Sequence, residues 1–211
     1  MTFIKYLFGF IIYSISFCAP AQSLEDSFRA ALAGDLATIR SGIERGGSVD
    51  ASDAEGNTLL MLASREGHVR VAAYLIEQKA AVNRRSKFGD TALMAASIKG
   101  KLDVVRLLLD HGAELETSGW TPLHYAAFEG RTSVLKFLLE KGANKNVQAP
   151  NGYSPLMLAV RGGHAESARA LLYEDPDVNL RTPSGETALK LAKEKGDAAT
   201  VDLLKRAGAV E

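Results

Sequence analysis

Residues 119–130 read Gly119-Trp-Thr-Pro-Leu-His-Tyr-Ala-Ala-Phe-Glu-Gly130, and the fold can be worked out from this stretch outward. Thr121 offers a hydroxyl that can cap a helix N-terminus, and Pro122 follows where a missing N–H leaves nothing unpaired. Ala126 and Ala127 are small enough for one helix to lie close against its neighbours. Gly130 then ends a short helix with a residue tolerant of positive φ. A second segment carries Val134, Leu135, Leu138 and Leu139 at helical spacing and closes on Gly142-Ala143.

The same string recurs along the chain. Glycines 56, 89, 119, 152 and 185 are spaced by 33, 30, 33 and 33 residues, and each is followed two positions on by Thr or Ser. Glycines 67, 100, 130, 163 and 196 end the first helix of each unit. The second helices carry apolar stripes, such as Val104, Val105, Leu107 and Leu108, that one helix pair cannot cover. They must be buried against the next unit, which makes the chain a solenoid with one continuous core. Upstream, Phe28-Arg-Ala-Ala-Leu-Ala-Gly-Asp35 keeps the register, with Leu36, Ile39 and Ile43 on its second helix. The last unit mixes Lys190, Lys193, Glu194, Lys195, Lys205 and Arg206 among its apolar positions, as a solvent-facing terminal cap requires.

This period, together with Gly119-Trp-Thr-Pro-Leu-His-Tyr-Ala-Ala127 and Leu138-Leu-Glu-Lys-Gly-Ala143, resembles the ankyrin-repeat family over residues 24–211. The resemblance implies an all-α solenoid of about six helix-turn-helix repeats joined by β-hairpin-type loops. The expected units are an N-terminal cap at 24–52, repeats at 53–85, 86–115, 116–148 and 149–181, and a C-terminal cap at 182–211. It also implies a non-enzymatic scaffold that holds another protein on a concave face lined by hairpin tips and first helices. On that face the register gathers Phe88, Trp120, Phe128 and Tyr153, with Tyr125 and Ile98 beside them. Such aromatics suit an interface hot spot; the alternative is that Trp120 packs down on a shortened loop. The basic string Arg84-Arg85-Ser-Lys87 adjoins them and would suit an acidic rim, unless it is simply a solvated loop.

Two departures from the pattern carry expectations of their own. The third repeat is three residues short between Ala113 and Gly119, which predicts a tighter turn. Asp175-Pro176 replaces the usual Gly-Ala, which predicts a different end to that repeat's second helix.

The N-terminus reads as an export signal: Lys5, an apolar run from Tyr6 to Phe17, then Ala19-Pro-Ala21, with cleavage expected after Ala21. Twelve apolar-rich residues are too few for a helix to span a bilayer, which takes about 20. The expected location is therefore periplasmic or secreted, with tethering to the inner membrane by an uncleaved signal as the alternative. The sequence holds one cysteine, Cys18, within that leader, so the expected mature chain has neither disulfide nor thiolate chemistry. With 25 Lys+Arg against 25 Asp+Glu there is no basic excess to select a nucleic acid, and a protein partner is expected instead. A monomer is the habit of the family that the chain resembles. Exported bacterial proteins of this layout are sometimes found beside catalases, so the resemblance also allows an accessory role to an envelope enzyme in peroxide defence, or delivery to a host cell as an effector.

No residues are expected to be catalytic, and no cofactor or metal is expected. All four histidines occupy family positions. His124 in Thr-Pro-Leu-His resembles a hydrogen-bonding brace between repeats, and His68 and His164 lie three repeats apart, too far to share a metal ion. Neither a Gly-x-Ser-x-Gly elbow nor a phosphate-binding loop is present.

Overall fold

The computed structural model describes residues 20–210, with side chains from Leu24 onward. The apolar leader at 6–17 and Cys18 lie outside the described residues. Among the described residues are twelve helices and no strand: α1 (Pro20–Ala33), α2 (Leu36–Glu44), α3 (Leu59–Glu66), α4 (Val69–Glu77), α5 (Ala92–Ile98), α6 (Leu102–Asp110), α7 (Pro122–Phe128), α8 (Thr132–Glu140), α9 (Pro155–Gly162), α10 (Ala165–Tyr173), α11 (Ala188–Glu194) and α12 (Ala198–Arg206). Odd-numbered helices pack side by side in chain order to form an inner layer, and even-numbered helices form an outer one. The loops between pairs are turns, one of which adds a β-bridge between Ser52 and Thr58. No helix among the described residues is long and apolar enough to cross a membrane.

Each inner helix from α3 onward starts in the same way. The hydroxyls of Thr58, Thr91, Thr121, Ser154 and Thr187 accept from the backbone N–H three residues on, at 3.1–3.4 Å. The inner layer is close because alanines sit at its contacts: Ala63, Ala96, Ala126, Ala127, Ala159 and Ala192 are fully buried. Leu75, Leu108, Leu135, Leu138 and Leu171 of the outer helices fill the space between layers. Each stabilises the array by about 1.5–3 kcal/mol relative to exposure.

Two ladders of polar side chains tie each repeat to the next. In the first, a side chain at the turn between inner and outer helix, the N-cap of the outer helix in three cases and Lys195 at the end of α11 in the fourth, reaches back to the end of the preceding repeat's inner helix. His68 bonds Leu32 O (2.8 Å), Arg131 bonds Ile98 O (3.0 Å), His164 bonds Phe128 O (2.9 Å) and Lys195 bonds Arg161 O (2.8 Å). Donors placed there satisfy carbonyls that the helix itself leaves unpaired. In the second ladder, side chains at the hairpin base accept an N–H from the following repeat: Asp50 from Ala81, Asn83 from Glu114, Asn146 from Asp177 and Asn179 from Val210, each at 2.8–3.0 Å.

The shortened third loop departs from expectation. Elsewhere the hairpin closes with a backbone bond, as from Ser86 N–H to Asp90 O (2.9 Å) or Ala149 N–H to Tyr153 O (3.0 Å). Here the Thr117 hydroxyl donates to Trp120 O instead, at 2.9 Å, and the segment is an open bend rather than a tighter turn. The deletion falls after the position that Asn83 and Asn146 fill in their own repeats, four residues beyond Lys79 and Gly142. Glu116 stands at that position, four residues beyond Gly112, and makes the equivalent bond by accepting the Asn144 N–H at 2.8 Å.

The end of α10 needs a smaller correction. Asp175 takes φ +52°, left-handed like Gly142 at +90°, so the backbone follows its siblings' path. What changes is one hydrogen bond, because Pro176 has no N–H to return to Leu171 as Ala143 returns to Leu138.

Candidate functional site

The inner helices and hairpin tips of the middle repeats carry the aromatic residues singled out above. Trp120 lies over α7, with ring centroids 5.3 Å from Tyr125, 5.8 Å from Phe128 in an edge-on pose, and 5.8 Å from His124. These offset and edge geometries are the favourable ones for aromatic pairs. Trp120 is half-buried and stacks on the rings of α7, while Phe128 stays 42% exposed.

The other rings stand apart from that trio. Phe88, at the tip of its hairpin, is 78% exposed and makes no ring contact among the described residues. Tyr153 is buried, contrary to its expected place in the open cluster. Its hydroxyl donates to Glu186 at 2.7 Å, and the Arg161 guanidinium lies 5.1 Å over its ring. The hydrogen bond to Glu186, with burial behind it, raises the Tyr153 phenol pKa, and the same bond lowers that of Glu186. The residue braces the last hairpins and cannot offer its ring without breaking them.

Tyr125 is pinned as well. Its hydroxyl donates to Asp90, one repeat back, at 2.7 Å, and burial followed by that bond raises its pKa far above the ordinary phenol value. Beside it, between α3 and α5, lies a hollow of about 140 Å³ lined by Asn57, Met61, Arg65, Asp90, Met94, Ile98 and Tyr125. The hollow was not foreseen. Its signal was present in the sequence: Met61, Met94 and Met157 stand at the register position that His124 holds in its own repeat.

The basic string is exposed at the third repeat's hairpin tip. Arg85 only grazes the Ser118 hydroxyl at 3.5 Å, and the side chains of Arg84 and Lys87 face solvent. The candidate surface is therefore a ring-rich centre at Trp120, Tyr125 and Phe128, an isolated ring at Phe88, and a cationic edge beside it.

His124 is fully buried below this surface. Its Nδ1 accepts the Thr121 N–H at 3.1 Å, which leaves Nε2–H to donate to Tyr153 O in the next repeat at 3.1 Å. Burial lowers its pKa to about 4, so the ring is neutral at pH 7. His68 and His164 are occupied in the inter-repeat ladder, and no group of three metal-ligating side chains is found among the described residues.

Sequence profiles of known families match the chain in overlapping stretches. One described as ankyrin repeats in three copies matches residues 27–118 and 80–149, and one described as ankyrin repeats in many copies matches 138–192. A curated ankyrin repeat protein of Rickettsia bellii is 31% identical over 121 residues, covering 53% of this chain and 35% of its own. The chain thus spans about a third of that relative's length. Among solved structures, an ankyrin repeat domain from Acinetobacter baumannii is 30% identical with a TM-score of 0.77, covering 87% of this chain and 98% of that one. The human ASB11 ankyrin repeat domain is 26% identical with a TM-score of 0.81, covering 87% and 84%.

Proposed function

The chain belongs to the ankyrin-repeat family, and from that premise we propose that it is a scaffold exported from the cytoplasm that holds a partner protein against the inner-helix face around Trp120 and Phe128. Ankyrin repeats are protein-binding modules and typically not enzymes. The observation that carries the reading is the half-open trio Trp120, Tyr125 and Phe128, its rings packed on one another and its central tyrosine anchored to Asp90, with the exposed Phe88 on a neighbouring hairpin tip. Rings already locked in place lose little entropy on binding, which is what makes an aromatic anchor effective. Export rests on the charged, apolar and small-residue order of positions 5–21.

Phe88→Ser/Phe128→Ser is the informative variant, because both rings are exposed and their removal leaves the core intact. Capture of a partner from the envelope fraction is expected to fall by about thirtyfold, the effect of losing a hot spot worth roughly 2 kcal/mol, with an unchanged circular dichroism spectrum. Equal capture by both proteins would place the site elsewhere, and capture by neither would defeat the scaffold reading. A separate measurement checks export: mass spectrometry of the protein recovered outside the cytoplasm is expected to give a chain beginning at Gln22. A chain recovered there with residues 1–21 still attached would instead mean tethering.

A further inference from the structure

The outer layer, on the opposite side from the surface just described, carries a repeated device that is complete at two junctions and lacks its ring at two others, where Arg169 is matched by the bulky Leu203 and Lys136 only by an alanine. Between α2 and α4 the Arg40 guanidinium lies 4.8 Å from the centroid of the Tyr74 ring. Between α6 and α8 the Arg106 guanidinium lies 4.1 Å from that of Phe137. In both cases the cation is the fifth residue of its helix and the ring is the sixth residue of the next outer helix. Both rings are buried, at 7% and 6% exposure.

Between α8 and α10 the same positions hold Lys136 and Ala170. The cation is present and the ring is missing. A cavity of about 430 Å³ opens there, with Leu139 and Ala170 in its lining and Arg169, Glu140 and Tyr173 around them. This volume falls in the range of small-ligand sites. Lys136 reaches across it to Glu166 at 3.8 Å, a solvent-exposed pair of the kind that contributes little and exchanges readily. At the rim, Tyr173 is 88% exposed, whereas the corresponding last residues of α2, α4, α6, α8 and α12 are Glu44, Glu77, Asp110, Glu140 and Arg206. One tyrosine thus replaces a charged residue beside the one junction that has a cation and only an alanine beneath it.

We propose that this slot between α8 and α10 receives an aromatic side chain, Phe or Tyr, presented by a partner protein, with Lys136 over the incoming ring and Tyr173 against its edge. The chain's own Arg106–Phe137 stack is the template for the bound state. Charge does little to select the occupant, because Lys136 and Arg169 are interspersed with Glu140, Glu166 and Glu174, and two cations against three carboxylates leave the opening a formal net charge of only −1. The ring itself selects, since an aliphatic side chain offers a cation no π-face. The inference does not depend on the inner-helix reading and can fail or hold without it.

Titration with N-acetyl-phenylalanine amide, followed by amide chemical shifts in NMR, tests the slot directly. Saturable shifts at Lys136, Leu139, Ala170 and Tyr173 are expected, with N-acetyl-leucine amide binding at least about threefold more weakly. Lys136→Gln keeps the cavity and should bring the two probes to equal affinity. Ala170→Phe supplies a ring from within; it should abolish binding without lowering the melting temperature. No saturable shift, or equal affinity of the parent for both probes, would overturn the proposal. Self-association of the chain that Ala170→Phe abolishes would overturn it too, by making a second copy the occupant.

Discussion

Gly130→Ala is expected to destabilise the protein by about 2–4 kcal/mol, while Gly142→Ala at a similar backbone conformation costs only about 1–2 kcal/mol. Both glycines have positive φ, +65° and +90°, so both substitutions force an alanine into the left-handed region. Their surroundings differ. A Cβ on Gly142 would meet nothing within 4 Å, whereas one on Gly130 would lie 2.5 Å from Nδ1 of His164. The imidazole cannot stay there, and when it moves the bond from His164 to Phe128 O is lost along with the packing of the ring on the glycine. Because that bond joins the fourth repeat to the fifth, Gly130→Ala should also broaden urea unfolding as the coupling between the two halves weakens. Paired urea denaturation of the two variants checks this. Equal losses would show that Gly130 serves only its own backbone.

The glycine case also marks how far the sequence alone could be read. Period, helix caps and small-residue positions are local signals, and they were enough to give the solenoid, because each repeat confirms its neighbours. Gly130 was legible as a helix end, but its second task depends on His164, 34 residues away, and no local pattern announces it. The same holds for the third loop: the missing residues could be counted, yet that Glu116, where the other repeats carry Asn or Asp, would hold the next repeat follows only from where Asn144 lies. Asp175 shows the opposite error, since a substitution that looked disruptive left the backbone path intact and removed one bond.

On the candidate surface, register brought Trp120, Tyr125 and Phe128 to one place and failed for Phe88, which stands apart, and for Tyr153, which is buried. Register fixes which way a Cα faces but not what the side chain finds there. Tyr153 found Glu186 and Arg161, two groups able to hold both its hydroxyl and its face, and was drawn out of the exposed set.

His124 makes the sharpest pH prediction. Its ring is fully buried and neutral, with Nδ1 accepting from Thr121 and Nε2–H donating to Tyr153 O, so protonation would put a second N–H where an acceptor is required. Burial is the main cause that holds its pKa at about 4, against about 6.5 in an unfolded chain. The folded state therefore binds fewer protons than the unfolded one between those values, and stability rises with pH there. The contribution is fully present above pH 6.5 and is lost as pH falls toward 4, by an amount approaching about 3 kcal/mol. Asp35, Glu186 and Asp197, whose pKa values are also lowered by hydrogen bonds, add losses of the same sign at lower pH, so the comparison is best stopped near pH 4.5. His124→Gln keeps a donor and an acceptor but has no titration in this window. It should be less stable than the parent at pH 7.5, and the gap should close or reverse by pH 4.5 when both are unfolded in urea. A gap that stays constant with pH would mean that His124 can accept its second proton in place, and that the link between Thr121 and Tyr153 does not depend on a neutral ring.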